Sequence, residues 1–146
     1  KYTPYVIETS IGLDRMFLAV FSQSLNIEKL SDGTERTVLK IPKILASNKC
    51  AIFPLVKKDG LPEIASSLKD QLKLKYNVIY DEKDAIGKRY RRQDAIGTPY
   101  WITIDHQTNE YNKVTIRDRD SMVQERIPIE NIESFLSQSL DISNWL

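Results

Sequence analysis

With one cysteine and one histidine in 146 residues, the chain lacks the side chains that several chemistries need. Cys50 has no second cysteine for an intrachain disulfide, and Cys50 and His106 together cannot close a zinc site. A lone cysteine fits a reducing compartment, and the chain shows no targeting pattern, so a cytoplasmic location is expected. Long apolar runs are missing as well. The longest, residues 51–56, falls far short of the roughly 20 residues a membrane-spanning helix needs, so no membrane partner is expected. Charge of one sign is also lacking. A formal net charge of +1 argues against attraction of the whole surface to nucleic acid, although a local patch can still exist. There is no phosphate-binding glycine loop of either common type, no internal repeat and no low-complexity tract. What remains, 41% apolar and 28% charged residues, is the balance of a folded domain of ordinary size. The chain opens on Lys1 rather than Met, which is expected of a piece of a longer protein.

Apolar periodicity then places the elements. Leu13, Phe17, Val20, Phe21 and Leu25 share one face of a helix over 11–25, after a β-prone Tyr5-Val6-Ile7 and with Ser10 as a candidate cap. Residues 26–48 are mixed and polar, with a turn at Ser31-Asp32-Gly33, and read as a linker. Residues 51–56 form a buried strand, and Asp59-Gly60 turns into a helix with Pro62 at its start and Ile64, Ala65, Leu68 and Leu72 inward. A short strand at 77–80 follows. Asp84 is the candidate cap of a second helix that stops at Gly97. Tyr100-Trp101-Ile102-Thr103-Ile104 and Val114-Thr115-Ile116-Arg117 read as paired strands joined by a polar connection, 105–112, that holds His106. A further strand at 122–127 and a last helix from Pro128, with Ile129, Ile132, Phe135 and Leu136 inward, complete the order. The fold class is α/β, with a mixed parallel and antiparallel sheet of about five strands flanked by three helices and preceded by a strand-helix unit.

Three clusters carry candidate chemistry. Lys88-Arg89-Tyr90-Arg91-Arg92 puts four cations on one short helix, where a core cannot take them unpaired, so they meet solvent or an anion. The bland alternative is a solvated helix balanced by Asp81, Glu82, Asp84 and Asp94. In Val114-Thr115-Ile116-Arg117-Asp118-Arg119, strand alternation puts Thr115, Arg117 and Arg119 on one face. Two guanidinium forks there suit phosphates or base edges, with Tyr90, Tyr100 and Trp101 as candidate stacking partners. Pairing of those arginines with Asp118, Asp120 or Glu125 is the alternative. The third cluster, Glu8-Thr9-Ser10-Ile11-Gly12-Leu13-Asp14-Arg15, places a carboxylate and a hydroxyl two residues apart on a strand, ahead of a glycine that permits close approach of a ligand. Glu8 and Arg15 are equally compatible with ordinary surface pairing. Cys50 reads as a core residue and His106 as a solvated one.

Pro4-Tyr5-Val6-Ile7-Glu8-Thr9-Ser10-Ile11-Gly12-Leu13-Asp14-Arg15 resembles the third signature motif of class II glycyl-tRNA synthetases of the homodimeric type. Further on, Phe53-Pro54-Leu55-Val56-Lys57-Lys58-Asp59-Gly60, Ile86-Gly87-Lys88-Arg89-Tyr90-Arg91-Arg92-Gln93-Asp94, Ile96-Gly97-Thr98-Pro99 and Thr115-Ile116-Arg117-Asp118-Arg119-Asp120-Ser121-Met122 resemble that family's anticodon-binding domain. Thr9 departs from the proline many members carry, while the flanking Glu8 and Ser10 are kept.

The resemblance implies a three-part division: 1–28 as the C-terminal edge of a catalytic domain, 29–48 as a linker and 49–146 as an anticodon-binding domain. It implies that Glu8, Thr9, Ser10, Ile11 and Gly12 bind glycine, that Gly12, Leu13, Asp14 and Arg15 bind ATP, and that Arg15 is the catalytic group on the phosphates. It assigns Lys88, Arg89, Arg91, Arg92, Arg117 and Arg119 to tRNA, with Arg117 at the anticodon bases and the basic helix on the backbone. The implied partners are the anticodon region of tRNA(Gly) and, in a full-length homodimeric enzyme, glycine and ATP with Mg2+. The chain alone is expected to hold no cofactor, to bind tRNA weakly and not to aminoacylate. A synthetase for threonine, proline or histidine, or a non-catalytic interaction module, are the alternatives.

Overall fold

A computed structural model describes residues 1–145, and its centre is the apolar run that the sequence marks as a buried strand. This strand, β3 (Cys50–Pro54), is buried at every position. Burial pushes the Cys50 thiol up to about 12, which leaves it a core group rather than a nucleophile. Pro54 ends the strand, where a missing amide donor costs the ladder least. On one side β3 pairs in parallel with β4 (Val78–Tyr80), and on the other with β5 (Tyr100–Ile104). Two antiparallel strands follow, β6 (Lys113–Asp118) and β7 (Gln124–Pro128), giving the order β4-β3-β5-β6-β7. The mixed five-stranded sheet expected from the sequence is the one observed.

Two crossovers in opposite directions, each right-handed, require helices on opposite faces. The first helix, α2 (Leu61–Leu72), starts after Gly60 with proline in its first turn and buries Leu61, Ala65, Leu68 and Leu72. Together with α5 (Ile132–Ser139) it covers Ile52, Ile102, Ile104, Val114 and Ile116. The second, α3 (Ile86–Ile96), covers Ala51, Phe53 and Trp101 through Ile86 and Tyr90. Strand alternation therefore splits the aromatic pair. Trp101 faces α3, whereas Tyr100 points to the opposite face and meets Phe135 edge-on, so Tyr100 is not a neighbour of Arg117 as sequence proximity had indicated.

Five local readings are corrected. Tyr5-Val6-Ile7 forms no strand: residues 1–12 have no regular structure and are exposed, because among the described residues no segment pairs with them. The helix after them, α1 (Leu13–Ser24), is present, but its N-cap is Gly12 without a side-chain hydrogen bond, so Ser10 does not cap it. Its apolar face, including Leu13, Phe17 and Phe21, is exposed. The polar stretch after α1, which reads as a linker, contains strands that its sequence pattern does not mark. It makes a hairpin of β1 (Leu25–Lys29) and β2 (Glu35–Leu39), turned at Gly33 with φ 80°, and then a 3-10 turn at Lys43–Leu45. Arg36 sits inward beside Val38, and this charged residue in an inward position hid the alternation. Residues 106–111 form a short helix, α4 (His106–Tyr111), rather than a loop. Asp105 accepts from the Thr108 amide while the Thr108 hydroxyl accepts from the Asp105 amide, a capping box. Lastly, Ala85 is the N-cap of α3, and the Asp84 carboxylate instead accepts from Arg92 at 2.8 Å.

Gly97 fixes the hairpin against α3. Its φ is 82°, and a Cβ there would lie 2.9 Å from the Leu39 carbonyl oxygen, so glycine is required both by the left-handed turn and by the close approach of β2.

Candidate nucleic-acid interface

Helix α3 spends its cations in different ways. Arg89 is 4% exposed and turns under the helix, donating to the Pro54 carbonyl at 2.6 Å and to the Asp84 carbonyl at 2.8 and 3.0 Å. It ties α3 to the end of β3 and does not face solvent. Arg92 pairs with Asp81 at 2.6 Å and Asp84 at 2.8 Å, and it holds both carboxyls below the usual carboxylate range, in each case against the opposing effect of burial. Lys88 and Arg91 are exposed and make no hydrogen bond or ion pair among the described residues. The balanced, solvated reading of the basic cluster thus describes Arg92, while Lys88 and Arg91 face solvent.

The second cluster divides as sharply. Arg119 lies just past β6, 1% exposed, and donates to the carbonyls of Gly97 at 2.8 Å and Ile41 at 2.9 Å and to the Asp120 carboxylate. It therefore does not project beside Arg117 but closes the junction between the hairpin segment and the end of α3. Arg117 does reach the α3 face of the sheet. Its guanidinium lies 5.0 Å from the ring centroids of both Tyr90 and Trp101, which are themselves stacked at 5.1 Å. Trp101 is fully buried beneath it, so of the aromatic candidates only Tyr90 borders open space on this face.

Since α3 covers β3 and β5 but not β6 and β7, a step remains between the helix and the outer strands. At that step Gly87, Tyr90, Arg91 and Asp94 of α3 face Arg117 of β6, and Leu30 and Met122 close a cleft of about 140 Å³. Beneath its wall, Arg117 Nε, Asp94 Oδ1 and Trp101 Nε1 are buried without a hydrogen-bond partner among the described residues, although such groups are normally paired. Burial pushes the Asp94 carboxyl up to about 6, against the pull of Arg36, Arg117 and Arg91. The cleft thus presents the Arg117 guanidinium and the Tyr90 ring, with the exposed cation Arg91 on its lining. That is the composition expected for holding an unstacked base and its phosphates. Sequence reading had placed Arg117 and Tyr90 together but not Asp94 or Arg36. The signal for Asp94 was present, since Gly87, Tyr90, Arg91 and Asp94 recur at spacings of three and four. Arg36 lies 83 residues from its acceptor Arg119, and no local pattern reports a pairing at that range.

The model of the anticodon binding domain matches residues 49–139. The chain belongs to this family. Over 140 residues it is 49% identical to a glycine-tRNA ligase of Borreliella burgdorferi, covering 96% of the chain and 32% of that protein. Against a glycine-tRNA ligase of Clostridium beijerinckii the identity is 50% over 141 residues, 97% of the chain and 30% of the protein. Against that of Rhodopirellula baltica it is 45% over 147 residues, 98% and 27%. The chain spans about a third of the length of these curated relatives. The matched segment opens just before β3 and includes the sheet, α3 and Arg117, so the cleft lies mainly inside the anticodon-binding domain.

The glycine and ATP candidates lie outside it. Glu8, Thr9, Ser10, Ile11, Gly12, Leu13, Asp14 and Arg15 are exposed and are not gathered into a pocket. Gly12 has φ −76°, and a Cβ there would touch only the Arg15 side chain, at 3.8 Å. Nothing in this fold demands glycine at that position.

Proposed function

We propose that this chain recognises the anticodon region of a tRNA at the α3–β6 cleft, as part of a cytoplasmic, homodimeric glycine-tRNA ligase. The observation that carries the reading is the cleft lined by Arg117, Tyr90 and Arg91, with Lys88 exposed on the same helix, inside a segment that matches an anticodon-binding domain. Arg117 offers a planar fork to base edges, and Lys88 and Arg91 neutralise phosphates. Arg89, Arg92 and Arg119 are occupied by the fold and act only by shaping the cleft. In the full-length enzyme glycine would be activated with ATP and Mg2+ before transfer to tRNA(Gly). There Glu8 would accept the ammonium of glycine, with Ser10 beside it and the backbone of Thr9, Ile11 and Gly12 lining the pocket. Gly12, Leu13 and Asp14 would border the ATP, and Arg15 would stabilise charge on the phosphates. That the local fold does not require glycine at position 12 supports close approach of a ligand there. The chain by itself binds RNA without aminoacylating it.

Binding of tRNA(Gly) and of a non-cognate tRNA, followed by fluorescence anisotropy across a salt series, tests this reading. Three cations give a slope of log K against log salt of about −2 for single-stranded contacts. A slope near zero, or equal affinity for the two tRNAs, rejects the reading.

A further inference from the structure

Helix α1 passes directly into the hairpin that precedes the matched segment: Ser24 is its last residue and Leu25 the first of β1. The Ser24 carbonyl accepts from the Lys40 amide at 2.6 Å and from Asn26 Nδ2 at 2.8 Å, so the outgoing and returning strands are both tied to the last turn of α1. Further along, the buried side chain of Arg36 reaches from β2 into the junction with α3. Its Nε and Nη2 donate to Glu28 Oε2 across the hairpin at 3.0 and 2.5 Å, and Glu28 Oε1 also meets Lys40 at 2.5 Å. Its Nη1 donates to the Arg119 carbonyl at 3.1 Å and lies 3.5 Å from Asp94 Oδ1 of α3. Arg119 in turn donates to the carbonyls of Gly97 and Ile41. Two buried guanidiniums thus join the hairpin, the end of α3 and the chain past β6 in one network.

A flexible linker of similar length would leave α1 free to take many orientations. Here, for the hairpin to swing, Arg36 would have to leave the network. The Arg119 carbonyl would then lose its donor and Asp94 the cation beside it, and both are buried, so the opening is costly. We propose that the hairpin is a rigid strut that locks α1 to α3, and that Arg36 is the positioning residue of the lock. Asp14 and Arg15, proposed to meet ATP, stand in the first turn of α1, so the strut sets where they lie relative to the anticodon-binding domain. Displacement of α3 then carries α1 with it instead of being absorbed between them. The lock itself needs no RNA in the cleft, so its failure would leave the RNA reading standing.

Spin labels on cysteines introduced in the whole chain at two exposed positions, Ser22 of α1 and Ala95 of α3, measure how firmly α1 is held. Cys50 is buried and does not compete for the label. The chain is expected to give one narrow distance distribution, and Arg36→Gln a broad one. In the same variant, amide exchange across β1 and β2 should quicken by about 100-fold or more, as expected for breaking a buried ion pair, while β3 and β5 stay within a few-fold of the parent chain. Val38→Ala opens a cavity in the same strand but leaves the network in place, and it should keep the distance narrow. A narrow distribution in Arg36→Gln overturns the proposal, and so does equal broadening in Val38→Ala. Exchange that quickens equally in β3 and β5 also overturns it, because Arg36 would then support the whole core rather than the lock. If Arg36→Gln does not fold, Glu28→Ala decides: it removes the anchor of Arg36 at a partly exposed position, and an unchanged distance and exchange there reject the strut.

Discussion

Alanine at Arg89 or Arg119 is expected to destabilise the domain by about 3 kcal/mol or more, whereas alanine at Lys88 should change stability by less than about 0.5 kcal/mol. All three are basic residues of the clusters that the sequence marks for RNA, yet their physical positions differ. Removing Arg89 leaves the Pro54 and Asp84 carbonyls without a donor. Removing Arg119 does the same to Gly97 and Ile41 and strips Asp120 of its partner. Each orphaned buried acceptor costs about 1–3 kcal/mol, and the vacated guanidinium leaves a cavity that the surrounding backbone cannot readily fill. Urea unfolding at pH 7 gives the comparison directly. Near-wild-type stability of Arg89→Ala or Arg119→Ala, combined with lost RNA affinity, would return these residues to the interface.

The contrast shows why the fold was more legible in the sequence than the site. Hydrophobic periodicity is a local property, so β3, α2, β5 and β6 were readable from Ile52, Leu68, Ile102 and Ile116, the residues that form the core. The hairpin escaped because Arg36 occupies an inward position that a polar residue was assumed to avoid. Helix α4 escaped because its six residues, His106–Tyr111, carry no apolar stripe and depend on a capping box. At the site, composition counts cations without saying what each one touches. Burial separates Arg89 and Arg119 from Lys88 and Arg91, and this depends on carbonyls contributed by distant turns. Strand alternation marks Arg117 in the sequence, and the strand register explains its place over Tyr90 and Trp101: Trp101 is paired with Arg117 across β5 and β6.

Arg117→Ala should reduce the chain's preference for cognate over non-cognate anticodon stem-loops by about 10- to 100-fold, while Lys88→Ala weakens both RNAs about equally and by only a few-fold. Arg117 combines a planar fork with a half-buried setting on the cleft wall. A bound base edge that matches the fork is favoured over one that does not, and a well-made contact of this kind discriminates by about 1–3 kcal/mol. Lys88 is a solvated point charge on the helix rim, so it registers phosphate wherever it passes. Arg117→Lys serves as the control for charge: it keeps the cation but loses the fork, and should recover general affinity without recovering discrimination. Since Arg117 also shields Trp101, each variant's thermal midpoint is to be measured alongside, and the comparison made at a temperature where all are folded. Equal losses on cognate and non-cognate RNA for both Arg117→Ala and Lys88→Ala would mean that Arg117 contacts the RNA backbone, and base reading would have to come from other groups.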